Sequence, residues 1–214
     1  YTHRESQELA RRELENIQTH YLYKDILSLE NIRKPKLVED LLRLLAFQIG
    51  HEVSLNELAA KLAVSIPTIE RYLDLLEKTF IVKRVFALSR NLRNEIRRGF
   101  KVYFIDLGIR NSLIQNFNPL SLRDDIGGLF ENLFIIERIK KALYAGAFKN
   151  YYFWRTYDQK EIDFIEESAG AFSVFECKYT NGRIGNATQK MFLAAYPGST
   201  LQLVTKENYL DLLA

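Results

Sequence analysis

A chain of 214 residues that is 47% hydrophobic and 27% charged can bury one large core or two small ones, which excludes wholesale disorder. The net charge of +3 is too small to mark a nucleic-acid binder on its own, so any such argument rests on where the charge is placed. A single cysteine, Cys177, excludes an internal disulfide and a Cys-rich zinc site.

The histidines His3, His20 and His51 are scattered and form no zinc or Ser/His pattern. There is no apolar run of roughly 18 residues and no signal-like start, so a soluble cytoplasmic protein without a membrane partner is expected. The start at Tyr1 reads as part of something longer.

In chain order, residues 3–29 carry Leu9, Leu14, Ile17, Tyr21, Leu22, Ile26 and Leu29 at helical spacing, so residues 1–34 form a helical N-terminal segment. Pro35 opens a helix with Leu37, Val38, Leu41, Leu42, Leu44, Leu45 and Phe47 facing inward and Gly50 as its stop. Ser54 begins a capping box, S-L-N-E, and a short second helix. After a turn at 63–65, a third helix runs from Ile66 to Lys78, completing a helix-turn-helix pattern.

Two strands, 80–88 and 100–105, are separated by SRNLRNEIRRG, in which Arg90, Arg93, Arg97 and Arg98 stand against the single acid Glu95. The expectation is a winged-helix domain over 35–117 with a basic wing, in which Arg71 on the third helix and the four wing arginines meet DNA. Thr68, Glu70, Arg71, Asp74, Glu77 and Lys78 balance one another on the outer side of that helix, so docking of a protein partner stays open as an alternative. The stretch NFNPLS at 116–121 is the linker, placing a second domain at 122–214.

The second domain reads as α, β, β, β, α, β, α, an α/β arrangement. Its first helix, about Ile126 to Tyr144 with Asp124 or Asp125 as cap, is apolar nearly all round yet holds Glu131. A carboxylate there needs a partner, a hydrogen bond or a metal, unless it is only an early-turn acid favoured by the helix dipole. Strands 151–155, 162–165 and 172–179 follow, with Ser168-Ala169-Gly170 as the turn between the last two.

In an antiparallel hairpin centred on Ala169-Gly170, Asp163 falls opposite Glu176, with Cβ atoms about 5 Å apart. Period two puts Val174, Glu176 and Lys178 on one face and the apolar set Phe175, Cys177 and Tyr179 on the core side. Facing carboxylates repel unless a cation sits between them, and Mg²⁺ prefers such oxygen ligands. Mg²⁺ there would lower the pKa of a bound water, and Lys178 would orient that water or offset charge on a phosphate. The chemistry is phosphodiester hydrolysis; a solvated charge pair on an open sheet face is the bland alternative.

The residues Glu131 in G-x-x-x-E-N, Asp163 in E-I-D-F-I, and Glu176 with Lys178 in F-E-C-K-Y give the region 122–214 a resemblance to the PD-(D/E)XK restriction-endonuclease-like superfamily. The resemblance implies that Asp163 and Glu176 bind Mg²⁺, that Lys178 assists the attacking water and that Glu131 completes the site. Asp163 lacks the preceding proline. The full length, through NELAAKLAVSIPTIERYLDLLEKTFIV, SRNLRNEIRRGFKVYFIDLGIRN, GLFENLF and YYFWRTYDQKEIDFI, resembles the DUF4143-type region that follows the ATPase module of AAA-type P-loop proteins. No G-x-x-x-x-G-K-[ST] is present, so ATP would bind only on an upstream module outside this chain.

The expectation is therefore α/β overall (α+β): a winged helix followed by a nuclease-like domain, acting on DNA as the accessory region of an ATPase and cleaving it with Mg²⁺. Two alternatives stand beside it. One is a catalytically silent fold that binds nucleic acid or a protein partner, and the other is a winged-helix regulator with a ligand-sensing second domain.

Overall fold

The computed structural model describes Leu9, residues 12–14, 35–88, 99–156, 158, 160–180 and 182–214. Most of the expected N-terminal helix, and the wing residues Arg90, Arg93, Arg97 and Arg98, lie outside the described residues. The protein is mixed α/β and divides into two compact parts: residues 1–49, 53–83 and 104–123, and residues 50–52, 84–103 and 124–214.

In the first part, α1 (Pro35–Phe47) buries Leu37, Val38, Leu41, Leu42, Leu45 and Ala46. Phe47, expected inward, is exposed, because the buried stripe runs through Leu41, Leu42, Leu45 and Ala46 and position 47 falls on the other side of the helix. The helix α2 (Leu55–Leu62) is capped by Ser54, whose hydroxyl accepts from the Glu57 backbone N–H. It ends at Ala63 in the left-handed region, where the N–H of Val64 returns to the Ala59 carbonyl.

Three residues later α3 (Ile66–Lys78) begins, with Pro67 in its first turn and Ile69, Tyr72, Leu73, Leu75 and Leu76 buried. Asp106 caps α4 (Leu107–Leu113) by accepting from the Ile109 N–H, as its position in the sequence suggests.

The second part carries most of a seven-stranded sheet. Its strands are β1 (Glu52–Val53), β2 (Val82–Ala87), β3 (Phe100–Phe104), β4 (Asn150–Arg155), β5 (Glu161–Ser168), β6 (Ala171–Cys177) and β7 (Thr200–Val204), in the order β1-β3-β2-β4-β5-β6-β7. The two strands read as a wing hairpin thus extend the sheet of the second domain: β2 pairs parallel with β4 at Phe86↔Tyr152 and Ala87↔Phe153. The domain also contains α5 (Ile126–Tyr144), α6 (Asn186–Ala195) and α7 (Tyr209–Leu213).

The expectation of one core face on β6 needs correction, because the strand is covered on both sides. Phe175 meets Phe134 of α5 (ring centroids 5.4 Å) and Phe164 of β5 (6.1 Å). Val174 joins Trp154, Ile162, Ile165 and Phe192 of α6 in a cluster on the other side. A strand between two helical layers has no solvated face, so its apolar residues run on rather than alternate. Asp125 stands at the N-cap of α5, but its side chain makes no capping hydrogen bond.

Candidate active site

The β5–β6 hairpin pairs Ser168↔Ala171, Glu167↔Phe172, Glu166↔Ser173, Ile165↔Val174 and Phe164↔Phe175. Ala169 and Gly170 both have positive φ, 51° and 78°, the signature of a type I′ turn whose twist matches that of the strands. The register continues to the position where Asp163 faces Glu176. There the ladder gives way to a side chain, as Asp163 Oδ2 accepts from the Cys177 backbone N–H at 2.8 Å.

What aims Asp163 is an irregularity on the other side of β5. Tyr152 pairs with Ile165 but Trp154 pairs with Ile162, so β5 spends one more residue than β4 over the same stretch. Ile162 and Ile165 consequently share one apolar cluster although they are three apart. Asp163 and Phe164 between them turn to the opposite side, where Phe164 stacks on Tyr151 (5.7 Å, 10° between planes). A bulge is a common device for redirecting a side chain beside a site.

Around Asp163, two further acids, Glu131 and Glu161, come together with two partners from β3. Lys101 and Tyr103, two apart on β3, point the same way. The Lys101 ammonium lies 3.0 Å from Glu131 Oε1, 2.5 Å from Glu161 Oε1 and 3.9 Å from Asp163 Oδ1, and passes over the Phe153 ring at 5.6 Å. The Tyr103 hydroxyl donates to the same Glu131 oxygen at 2.6 Å.

Glu176 completes the group: its Oε1 is 2.8 Å from the Lys178 ammonium, and its Oε2 is buried with no hydrogen-bond partner among the described residues. Gly50, with φ 77°, lets its loop approach Glu131, since a Cβ there would stand 3.1 Å from the Gly128 Cα and 3.4 Å from Glu131 Oε2.

Burial dominates the electrostatics. Glu131 is pushed up to about 7 by desolvation and by Asp163, against the pull of Lys101 and Tyr103. Desolvation also raises Asp163, against Lys101 and the Cys177 N–H. Glu176 rises through desolvation and the Asp163 charge, against Lys178. Burial lowers the Lys101 ammonium, but Glu131, Asp163 and Glu161 together outweigh it and hold the group above its ordinary range. Lys178 behaves alike on a smaller scale, with Glu176 the largest opposing partner. The Cys177 thiol is pushed up by burial and by Asp163 and Glu131, so it is an inert neutral group at neutral pH.

Of the residues singled out from the sequence, Glu131 and Asp163 meet at Lys101, while Glu176 pairs with Lys178 and both feel the Asp163 charge. Lys101, Tyr103 and Glu161 were not singled out; the signal for Lys101 was a lone charge within the apolar strand FKVYF. Arg71 lies on the exposed side of α3, its guanidinium 5.1 Å from the Tyr72 ring.

Among the described residues no three His, Cys, Asp or Glu side chains converge tightly enough to cage an ion. Mg²⁺ does not ask for a cage: one or two carboxylates, waters and substrate phosphate are its usual shell. The unpartnered, buried Glu176 Oε2 beside Asp163 fits that donor set.

Residues 1–120 match the family described as "Domain of unknown function (DUF8612)", and residues 126–209 match "Domain of unknown function (DUF4143)". Similar chains include uncharacterised proteins of Mycobacterium bovis and Mycobacterium tuberculosis, each 31% identical over 140 residues. That alignment covers 64% of this chain but 31% of each relative. No solved structure matches.

Proposed function

The chain belongs to the DUF8612 family, and for this member we propose a DNA-directed region made of a winged helix and a PD-(D/E)XK nuclease-like domain that hydrolyses phosphodiester bonds with Mg²⁺. The observation that carries this reading is the bulge on β5, which turns Asp163 toward Glu131 while the hairpin register brings Glu176 and Lys178 alongside.

Asp163 and Glu176 would hold the ion, which when bound supplies a water of lowered pKa and positive charge near the phosphate. Lys178, its ammonium anchored on Glu176 Oε1 and its side chain 44% exposed, donates to the attacking water or to a phosphate oxygen. Glu131 is held by Tyr103 and Lys101 and acts at one remove, by fixing the acids on the α5 side. Arg71, with Arg90, Arg93, Arg97 and Arg98, supplies phosphate contacts in this reading, and an AAA-type ATPase module upstream supplies the ATP chemistry.

A second reading, a nuclease-like fold that binds nucleic acid or a protein partner without cutting, is favoured by one feature: Lys101 already neutralises much of the acid cluster. Supercoiled-plasmid and branched-DNA cleavage with Mg²⁺ or Mn²⁺ separates the two. Cleavage that disappears in Asp163→Ala supports the nuclease, whereas no cleavage and no calorimetric metal binding in either protein leaves the binding module. Under both DNA readings the affinity falls steeply with salt, with a shallower slope when Arg97 and Arg98 are replaced.

A further inference from the structure

Among the residues of the acid cluster, Lys101 has no role in the chemistry proposed above, yet it is its most deeply buried charge, with 1% of its surface exposed. We infer that the Lys101 ammonium is a permanent, built-in cation that fills the space between Glu131, Glu161 and Asp163, so that the site accepts one divalent ion, at Asp163 and Glu176, and never a second. This inference rests on the metal reading of Asp163 and Glu176 and assigns a role to a residue outside it.

The geometry separates two sides of Asp163. Its Oδ1 faces Lys101 at 3.9 Å, and its Oδ2 accepts from the Cys177 N–H with one lone pair and keeps the other for an ion. On the Lys101 side, Glu131 and Glu161 are both at ion-pair distance, and the Tyr103 hydroxyl closes the remaining approach to Glu131 Oε1. On the Glu176 side one buried carboxylate oxygen has no hydrogen-bond partner among the described residues.

An ammonium between carboxylates meets the charge requirement that a second divalent ion would otherwise meet, and no such ion fits without displacing it. Displacement is disfavoured, because Lys101 would carry its charge out from between three acids and across the Phe153 ring. The acids on this side are also spread around an ammonium rather than drawn in to ligand distance, in keeping with the lack of an all-acid cage among the described residues.

The test is Mn²⁺ titration at pH 8 of the 214-residue chain and of Lys101→Met, counting bound ions by calorimetry and electron paramagnetic resonance, with thermal unfolding followed in parallel. The variant is expected to bind one ion more than the wild type and to gain more in Tm from Mn²⁺, since the ion takes over from the lost ammonium. Equal ion counts in the two proteins overturn the inference. The metal reading fails separately: a wild type that binds no ion beside a variant that binds one removes the Asp163 and Glu176 site and keeps the role of Lys101.

If Lys101→Met does not fold even with Mn²⁺, nitrogen-15 spectra of the wild-type lysine ammonium groups decide. A slowly exchanging Lys101 signal that persists at saturating Mg²⁺ supports the inference. Its loss or its conversion to a fast-exchanging signal overturns it.

Discussion

The Lys101 ammonium donates to Glu131 Oε1 at 3.0 Å across thirty residues of sequence, and both side chains are buried. This pair joins β3 to α5, and its consequences for stability differ from those of a surface ion pair, whose contribution is small and screened by salt.

Glu131 makes stability fall with rising pH. Its folded pKa of about 7 exceeds the ordinary 4.5, so between those values the folded protein holds a proton that the unfolded chain has released. The penalty is absent below about pH 4.5 and complete above about pH 7, amounting to roughly 3 kcal/mol by the size of the shift. Urea unfolding across that window should show a smaller decline in Glu131→Gln than in the wild type, and an unchanged slope would contradict the assignment.

Glu166 has the opposite sign. Arg138 grips it with two hydrogen bonds, at 2.8 and 2.6 Å, and Lys149 adds a third at 2.7 Å. Desolvation works against the charge, but these partners prevail and the pKa is lowered. The stabilisation is therefore present above the unfolded value near 4.5 and is lost as pH falls through the folded value below it. Glu166→Ala leaves two cations facing a buried gap and should cost about 3–5 kcal/mol at pH 7 in equilibrium unfolding.

The hairpin turn is not at its optimum. Ala169 sits at φ 51°, in the left-handed region that a side chain with Cβ resists. Asparagine tolerates that conformation and precedes glycine in the preferred type I′ pair, so Ala169→Asn should raise stability by about 0.5–1 kcal/mol. A denaturation midpoint that stays put or drops would argue that the turn adopts another geometry.

Lys101→Arg tests whether the buried cation needs the shape of an ammonium as well as its charge. A planar guanidinium is larger than the ammonium it would replace among Glu131, Glu161, Tyr103 and Phe153. Overpacking of this kind typically costs about 1–3 kcal/mol, so thermal unfolding should place the variant below the wild type.

How far the sequence by itself reached can be traced residue by residue. The helix α5 is legible as Ile126–Tyr144, and the hairpin register is legible because local turn chemistry and alternation are properties of neighbouring residues. The same local information brings Asp163, Glu176 and Lys178 to one end of one hairpin.

Only the tertiary structure decided that β2 and β3 join the same sheet as the β5–β6 hairpin, since strand partners many residues away leave no periodic trace. It also decided where Asp163 points, because the bulge on β5 depends on how β4 is paired. Lys101, Tyr103 and Glu161 enter the site for the same reason. Each reads alone as an ordinary strand residue, and burial among distant charges is what makes Lys101 a fixed cation and Glu131 a carboxylate that titrates near neutral pH.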